Sequence, residues 1–500
     1  MNEVRILQIG KENFGRKYEK PRNIRYFYFE KPEEAPPQPF DLVILDRAFE
    51  GEELEHLYTL TRPYCLYVME QVVPEGDFAQ FFNRKRGQIL KQSEIAEFLW
   101  NEAGYYFPVA YGVQSSLNQL SVSRNFAGNI TWNGNVKVCL SGEFGTEYRQ
   151  AAFFRDYISI EAMQTLDFWL EYQKDPGVSL LLEIKKITAG TTDEIEESRI
   201  FKEEQLKDEI RIENHSRRGL LFVSIRAKGC GTLVLSTLHC RISRGGHGHF
   251  LPGGERYVTS KREELFCYFD PGDARPPLNV RFSGYQQREE FALSKNETLA
   301  GEPLLLLYDP RMNGGNGFTG TEEYERLVLQ VIQSKMEELG FSSEEVLFSG
   351  FSIGAYAALY YGCELCPHAV LLGKPLASLG DVAVNERLLR PGGLPQALDV
   401  LLYQCGDTTE EAAQQLNQKL WEKFDRADFG KTSFIVSYML EDDYDATAYR
   451  RILSHLRSEG VRIYGKGIHG RHNDENEAIL QWFLEQYGRI LENDFNRGQK

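Results

Sequence analysis

Gly350-Phe351-Ser352-Ile353-Gly354 matches G-x-S-x-G, a turn that lifts a serine hydroxyl clear of the chain. The logic is steric. A serine forced into a sharp strand-to-helix turn needs glycines two residues to either side, so that the two backbones can pass closely. The helix that follows points its amino terminus at the hydroxyl, and the N–H of Ile353 becomes one oxyanion donor. The motif also arises by chance as a packing turn. Here VLFS precedes it and AYAALYY follows it, which supplies the strand and the helix.

A serine hydroxyl is a weak nucleophile until a base takes its proton, and the base works best when an acid orients it. On elbows of this kind the chain order is Ser, then Asp or Glu, then His. SFIVSYML (433–440) reads as a late strand and runs into Glu441-Asp442-Asp443-Tyr444-Asp445. VRIY (461–464) reads as the next strand and leads to His469-Gly470-Arg471-His472-Asn473-Asp474. Order and position therefore fit, although an acidic run after a strand is commonly a solvated loop. For the acid, Asp442 leads, then Glu441, then Asp443; for the base, His472 leads over His469.

The second oxyanion donor is expected in the glycine-rich loop after PLLLLYD (303–309), at Asn313 or Gly314, with a plain flexible turn as the alternative. Two other clusters compete for chemistry. His247 and His249 alternate in RGGHGHFLPGG, but no third ligand stands nearby, so a loop or hairpin tip is the reading and no metal is assigned. Cys363 and Cys366 form a C-x-x-C at the end of the elbow helix. No second pair stands at zinc spacing, which favours helix-end thiols over a redox pair.

These residues need a scaffold. At 500 residues the chain is long enough for two to four domains, and it divides into three regions. Residues 1–105 carry VRILQIG (4–10) and FDLVILD (40–46), with a strand candidate at 26–30, a helix after Asp46 and CLYVME (65–70). That alternation predicts a small α/β domain. No G-x-G-x-x-G follows Gly10, so a structural role is favoured over nucleotide binding. Residues 106–295 break into short β-rich pieces between Gly, Asn and Pro turns, the mark of an antiparallel sandwich. ELFCYFD and LNVRFSG are counted among its strands, KEEQLKDEI as a solvated linker or edge, and Trp132 or Tyr257 as sugar-stacking candidates. Residues 296–500 alternate strand and helix around the elbow. The predicted fold is therefore α/β, with a C-terminal α/β-hydrolase-type domain behind a central β-sandwich-like domain and a small N-terminal α/β domain.

Composition narrows the function classes. Asp and Glu outnumber Lys and Arg 73 to 57, giving a formal net charge of −16, which argues against non-specific nucleic-acid binding. No apolar run reaches 18 residues, so no transmembrane helix is expected. The start MNEVRILQIGKENFG lacks the pattern of a secretory signal, and eight scattered cysteines then read as reduced thiols.

Taken together, ILQIG at the amino terminus, the GFSIGAYAALYYG elbow, EDDYD and GRHND resemble the second accessory secretory protein family of the bacterial accessory Sec system, over the whole chain. The resemblance implies a cytoplasmic protein, peripheral at the membrane through the export machinery. Its implied partners are two sister accessory secretory proteins, the accessory Sec motor and a serine-rich-repeat glycoprotein adhesin as substrate. It implies O-acetylation of N-acetylglucosamine on that adhesin by a Ser–acid–His triad. By motif match the triad is Ser352, Asp442 and His472. Glu also serves as the acid in that family, which makes Asp442 a conservative departure. No bound cofactor is implied, but an acetyl donor is required, and the sequence does not identify it. From the residues alone, acyl transfer to water, giving an esterase, and to a sugar hydroxyl remain open, as does a non-catalytic scaffold of the export complex.

Overall fold

The computed structural model describes residues 3–191, 193–292, 298–388, 394, 396–456 and 461–498. Their strands form three sheets. No helix among the described residues is long and apolar enough to cross a membrane.

The first sheet holds β1 (Val4–Ile9), β2 (Ile24–Phe29), β3 (Leu42–Leu45), β4 (Leu66–Met69) and β5 (Gln88–Leu90). All pairs are parallel, in the order β2-β1-β3-β4-β5. β3 and β4 are buried throughout, as strands covered on both faces must be. The helix Gly51–Leu60 buries Leu54, Leu57 and Leu60 on one stripe. Doubly wound sheets bind phosphates where the strand order reverses, here between β1 and β3. A side chain of the protein itself fills that crevice. The Asp46 carboxylate accepts from the N–H groups of Lys11 and Glu12 at 2.8–3.0 Å, and a Cβ on Gly10 would lie 1.8 Å from it.

The second sheet is antiparallel throughout: β6 (Gly112–Ser115), β7 (Leu120–Val122), β8 (Asn129–Asn133), β9 (Lys137–Phe154), β10 (Ile158–Ile160), β11 (Thr165–Lys174), β12 (Val178–Thr188), β13 (Ile195–Lys202), β14 (Ile210–Glu213) and β15 (Gly219–Ile242). β15 pairs with β12 through its first half and with β11 through its second, while β9 follows it across both. The change falls at Gly229 (φ 97°) and Gly231 (φ 141°), where the β9 register also shifts. A side chain at Gly229 would meet the Gly177 carbonyl at 2.0 Å. Both halves send alternating apolar residues, such as Leu180, Val223, Phe168 and Leu235, into one core.

The third sheet has eight strands: β16 (Glu255–Val258), β17 (Glu264–Asp270), β18 (Leu278–Phe282), β19 (Leu304–Tyr308), β20 (Val346–Phe351), β21 (Ala369–Gly373), β22 (Ser433–Met439) and β23 (Arg462–Ile468). Their order is β16-β17-β19-β18-β20-β21-β22-β23, antiparallel up to the β17–β19 pair and parallel beyond it. Side chains on β20 to β22 alternate between two cores. Phe348, Val370 and Phe434 join the helices Glu322–Leu339, Ile353–Leu365 and Glu410–Phe424; Leu347, Leu371 and Ile435 meet the helix Asn476–Asn493. Thr321 caps the first of these helices and Gly340, at φ 72°, ends it.

This sheet corrects the expected placement of two strands. ELFCYFD and LNVRFSG belong to β17 and β18 and pair with β19 and β20, not with the sandwich. They are apolar and buried on both faces, the pattern of a covered sheet interior. The expected boundary at 295 and 296 lies outside the described residues. Tyr257, expected on a sugar-facing surface, lies on β16 instead. It packs against the core of this sheet and donates its hydroxyl to Glu255. Trp132 on β8 is 47% exposed. KEEQLKDEI is not a loose linker: Leu206 is buried, and Glu209 pairs with Arg241 at 2.9 Å.

Candidate active site

Ser352 stands between β20 and the helix Ile353–Leu365 at φ 53°, ψ −120°, a conformation that costs a non-glycine residue on the order of 1–3 kcal/mol. Its neighbours permit nothing bulkier than glycine. A Cβ on Gly350 would lie 2.2 Å from the Gly354 carbonyl oxygen, and one on Gly354 2.4 Å from that of Phe282. The Ser352 N–H donates to Gly373 of β21 at 2.8 Å, which fixes the turn to the next strand.

The structure brings Ser352, His472 and Asp442 into one line. Ser352 Oγ lies 2.9 Å from His472 Nε2, and His472 Nδ1 lies 2.8 Å from Asp442 Oδ2. Asp442 Oδ1 accepts the N–H groups of Tyr444 and Asp445 at 2.8 and 3.1 Å. A carboxylate held this way can neither rotate nor drift from the imidazole. His472 is 2% exposed, and the Tyr444 ring lies against it at 4.3 Å between centroids. The other candidates part from this line. Glu441 and His469 pair with each other at 2.9 Å, and the His469 side chain is 86% exposed. The Gly470 N–H and His469 hold the Glu441 carboxyl below its usual range. Asp443 accepts the His472 N–H at 2.9 Å and so fixes the backbone of the base.

Two supports were not read from the sequence. Lys374 follows β21 at φ 46° and is 5% exposed. Its ammonium donates to the His472 carbonyl at 2.6 Å, the Asp474 carbonyl at 2.7 Å and Asn476 Oδ1 at 2.5 Å, clamping the histidine loop. Burial lowers its pKa against the pull of Asp442. A lone lysine in LLGKPLA, between a buried strand and a proline, was the available signal. Asp445 accepts the Ala377 and Ser378 N–H groups at 2.9 Å and ties the acid loop to the same segment, its pKa raised by burial.

The oxyanion expectation divides. Ile353 opens the elbow helix as expected. The Asn313 N–H is already engaged: it donates to the carbonyl of Pro310, which caps the turn Arg311–Gly314, at 3.1 Å. Gly314 packs on Gly284, where a Cβ would meet the Gly284 carbonyl at 2.7 Å. Gly284 in turn lies beside the elbow, 3.0 Å from the Phe351 carbonyl by the same measure. The loop that reaches the nucleophile is therefore the exit of β18, because β18 and not β19 adjoins β20.

The other clusters sit elsewhere. His247 Nδ1 meets the Tyr106 hydroxyl at 3.1 Å, and His249 packs edge-on to Phe266. Burial brings the His249 pKa down to about 4. Among the described residues no group of three or more His, Cys, Asp or Glu is placed to hold a metal. Cys363 and Cys366 are free thiols, the first buried and the second capping the elbow helix.

The family model described as the accessory Sec system GspB-transporter matches residues 4–497. An accessory Sec system protein of Staphylococcus aureus is 34% identical over 99% of this chain and 98% of its own. One from Streptococcus gordonii is 33% identical over 99% of each. Among solved structures, the Glycosylation Associate Protein (Gap123) complex from Streptococcus agalactiae contains a chain that is 33% identical, with a TM-score of 0.88 over 99% of each chain.

Proposed function

The chain belongs to the accessory secretory protein two family of the accessory Sec system, and we propose that it works there as a serine O-acetyltransferase. The carrying observation is the 2.9 and 2.8 Å relay from Ser352 through His472 to Asp442. Strand order supports the same reading: first, second, fourth, third, then fifth to eighth, with the second antiparallel, is the order of the α/β-hydrolase fold. Its nucleophile follows the fifth strand, as Ser352 follows β20.

Ser352 Oγ attacks the acetyl carbonyl of the donor while His472 Nε2 takes the hydroxyl proton. Asp442 holds the imidazole and stabilises its charge. The tetrahedral oxyanion takes the Ile353 N–H and an N–H of the 284–285 loop. Collapse breaks the bond to the donor's leaving group, which leaves with the proton from His472. A sugar hydroxyl then attacks the acetyl-serine, giving its proton to His472, and the ester passes to the sugar. The acceptor is N-acetylglucosamine on a serine-rich-repeat glycoprotein. The protein works in the cytoplasm, at the membrane through the export machinery, beside two sister accessory secretory proteins and the accessory Sec motor. A similar chain of known structure is itself part of a complex, which supports the partner reading.

The test is the mass of the exported glycoprotein's glycans with the wild-type chain and with Ser352→Ala. Loss of acetyl groups while export and partner co-purification persist is the expected result. Unchanged acetylation refutes the enzyme and leaves a scaffold. Turnover of a chromogenic acetyl ester without acetylated glycan makes it an esterase.

A further inference from the structure

A cleft of about 510 Å³ opens between the second and third sheets, away from Ser352. Its walls come from the β8–β9 turn, the end of β11, the second half of β15, the β16–β17 turn and the helix Gln396–Cys405. Such a volume suits a small polar molecule, and junctions between structural units are common places for one.

The charges around it are unequal. Two carboxylates on the wall are already neutralised. Glu263 pairs with Arg311 at 2.8 Å, and Glu171 lies 3.1 Å from His239. Burial pulls the His239 imidazole down, but Glu289 and Glu171 outweigh it and hold its pKa up at about 10, so it stays charged. Three cations on the wall have no carboxylate within 4.0 Å among the described residues: Lys137, Lys261 and Arg262. The guanidinium of Arg262 lies 3.5 Å from the Trp169 ring and 4.5 Å from that of Tyr172. Among the described residues it donates to the neutral carbonyls of Leu170 and Leu206 alone. Burial brings the Arg262 pKa down to about 10 although Tyr172 and Glu264 pull it up, and Lys137 and Lys261 line the same cleft on a chain whose net charge is −16. The cluster is thus a local reversal of the protein's overall field.

The rest of the wall is amide, hydroxyl and phenol. Asn135 Oδ1 is buried there without a hydrogen-bond partner among the described residues, an acceptor waiting for a donor. Tyr172 and Tyr403 add flat surfaces. We propose that this cleft is a binding site for a phosphorylated sugar, the phosphate held by Lys137, Lys261 and Arg262 and a sugar hydroxyl donating to Asn135. The site is separate from the acyl-transfer reading and does not require it.

The experiment is calorimetric titration of the full Ser352→Ala chain, so that no turnover intervenes, with glucose 1-phosphate, glucose and inorganic phosphate in parallel. Glucose 1-phosphate should bind saturably, and more tightly than either fragment. Raising the salt should weaken it. Lys137→Gln with Lys261→Gln, two exposed positions that leave the fold intact, should weaken it by at least about tenfold, the loss of roughly 1.4 kcal/mol. Circular dichroism and the unfolding midpoint of that variant should match the parent. No saturable binding up to about 10 mM ligand overturns the site, since that limit corresponds to less than about 3 kcal/mol of affinity. Equal binding of glucose overturns the role of the cations. Equal binding of inorganic phosphate overturns the sugar.

Discussion

Lys374→Met removes one ammonium while keeping most of the stem that packs beneath the histidine loop. In the native chain that ammonium satisfies the His472 carbonyl, the Asp474 carbonyl and Asn476 Oδ1, all within 2.7 Å. Hydrogen bonds to a charged donor are worth about 1.5–3 kcal/mol each. Three of them do not add, because burial already disfavours this ammonium, as its lowered pKa records. A net loss of about 3 kcal/mol is expected in urea unfolding. Rate should suffer separately. Without the clamp the loop is free to move His472 away from Ser352 Oγ, and a displacement of about 1 Å costs on the order of 10²-fold in rate. Hydrolysis of a chromogenic acetyl ester, measured where the variant is fully folded, should show kcat down by about that factor with KM little changed. The shape of the pH profile should survive, since the base is still His472. A folded Lys374→Met protein with kcat within about twofold of wild type would refute the clamp as a positioning device. A loss that merely tracks the unfolded fraction would refute it equally.

Ser352→Gly should abolish acetyl transfer yet raise stability by about 1 kcal/mol, because glycine relieves the strained φ of 53°; the unfolding midpoint reads the second effect. His472→Ala should lose nearly all ester turnover, and His469→Ala nearly none, since His469 is 86% exposed and paired only with Glu441. The reverse pattern would overturn the base assignment. His239 has a folded pKa of about 10 against about 6.5 unfolded, so its stabilising charge is fully present below pH 6.5 and lost as pH rises towards 10. The thermal midpoint should therefore fall across that window, and His239→Gln should flatten the fall.

What was legible in the sequence was what local sterics and chain order determine. The elbow is a property of five adjacent residues, and the acid and histidine clusters follow from their places after two strands. The choice within each cluster is set by register. Met439 of β22 pairs with Ile468 of β23, and beyond that pair the N–H groups of Leu440 and Glu441 still reach Ile468 and Gly470 as the two chains turn into loops. One neighbour pair, Glu441 and His469, meets at the surface, while Asp442 and His472 turn inwards. No local pattern encodes that. Which loop adjoins the elbow depends on a longer-range feature. β19 follows β18 in sequence but crosses to its far side, leaving β18 beside β20. A reading that takes the strand before the elbow as its neighbour selects the exit of β19, whereas the strand beside β20 is β18. The same crossover hid the true extent of the third sheet, because β17 and β18 precede the expected boundary.

The junction between the second and third sheets follows from electrostatics that composition conceals. Arg241 on β15 is 3% exposed and reaches Glu264 on β17 and Glu289, both at 2.5 Å, with Glu209 at 2.9 Å. Arg256 on β16 joins the same Glu264 at 2.5 Å. His239, two residues before Arg241, shares Glu289. Removing one partner from such a cluster strands the others without water, a loss of about 3–5 kcal/mol, whereas hydrophobic replacement of the whole set would cost little. The network therefore adds less to stability than to orientation: only one placement of β15 over β17 satisfies all of these charges. That placement brings the β8–β9 turn and the end of β11 opposite Arg262 and Arg311. The walls of the cationic cleft are held at fixed separation by ions buried beside it, which is what a pre-formed site for a small anion requires.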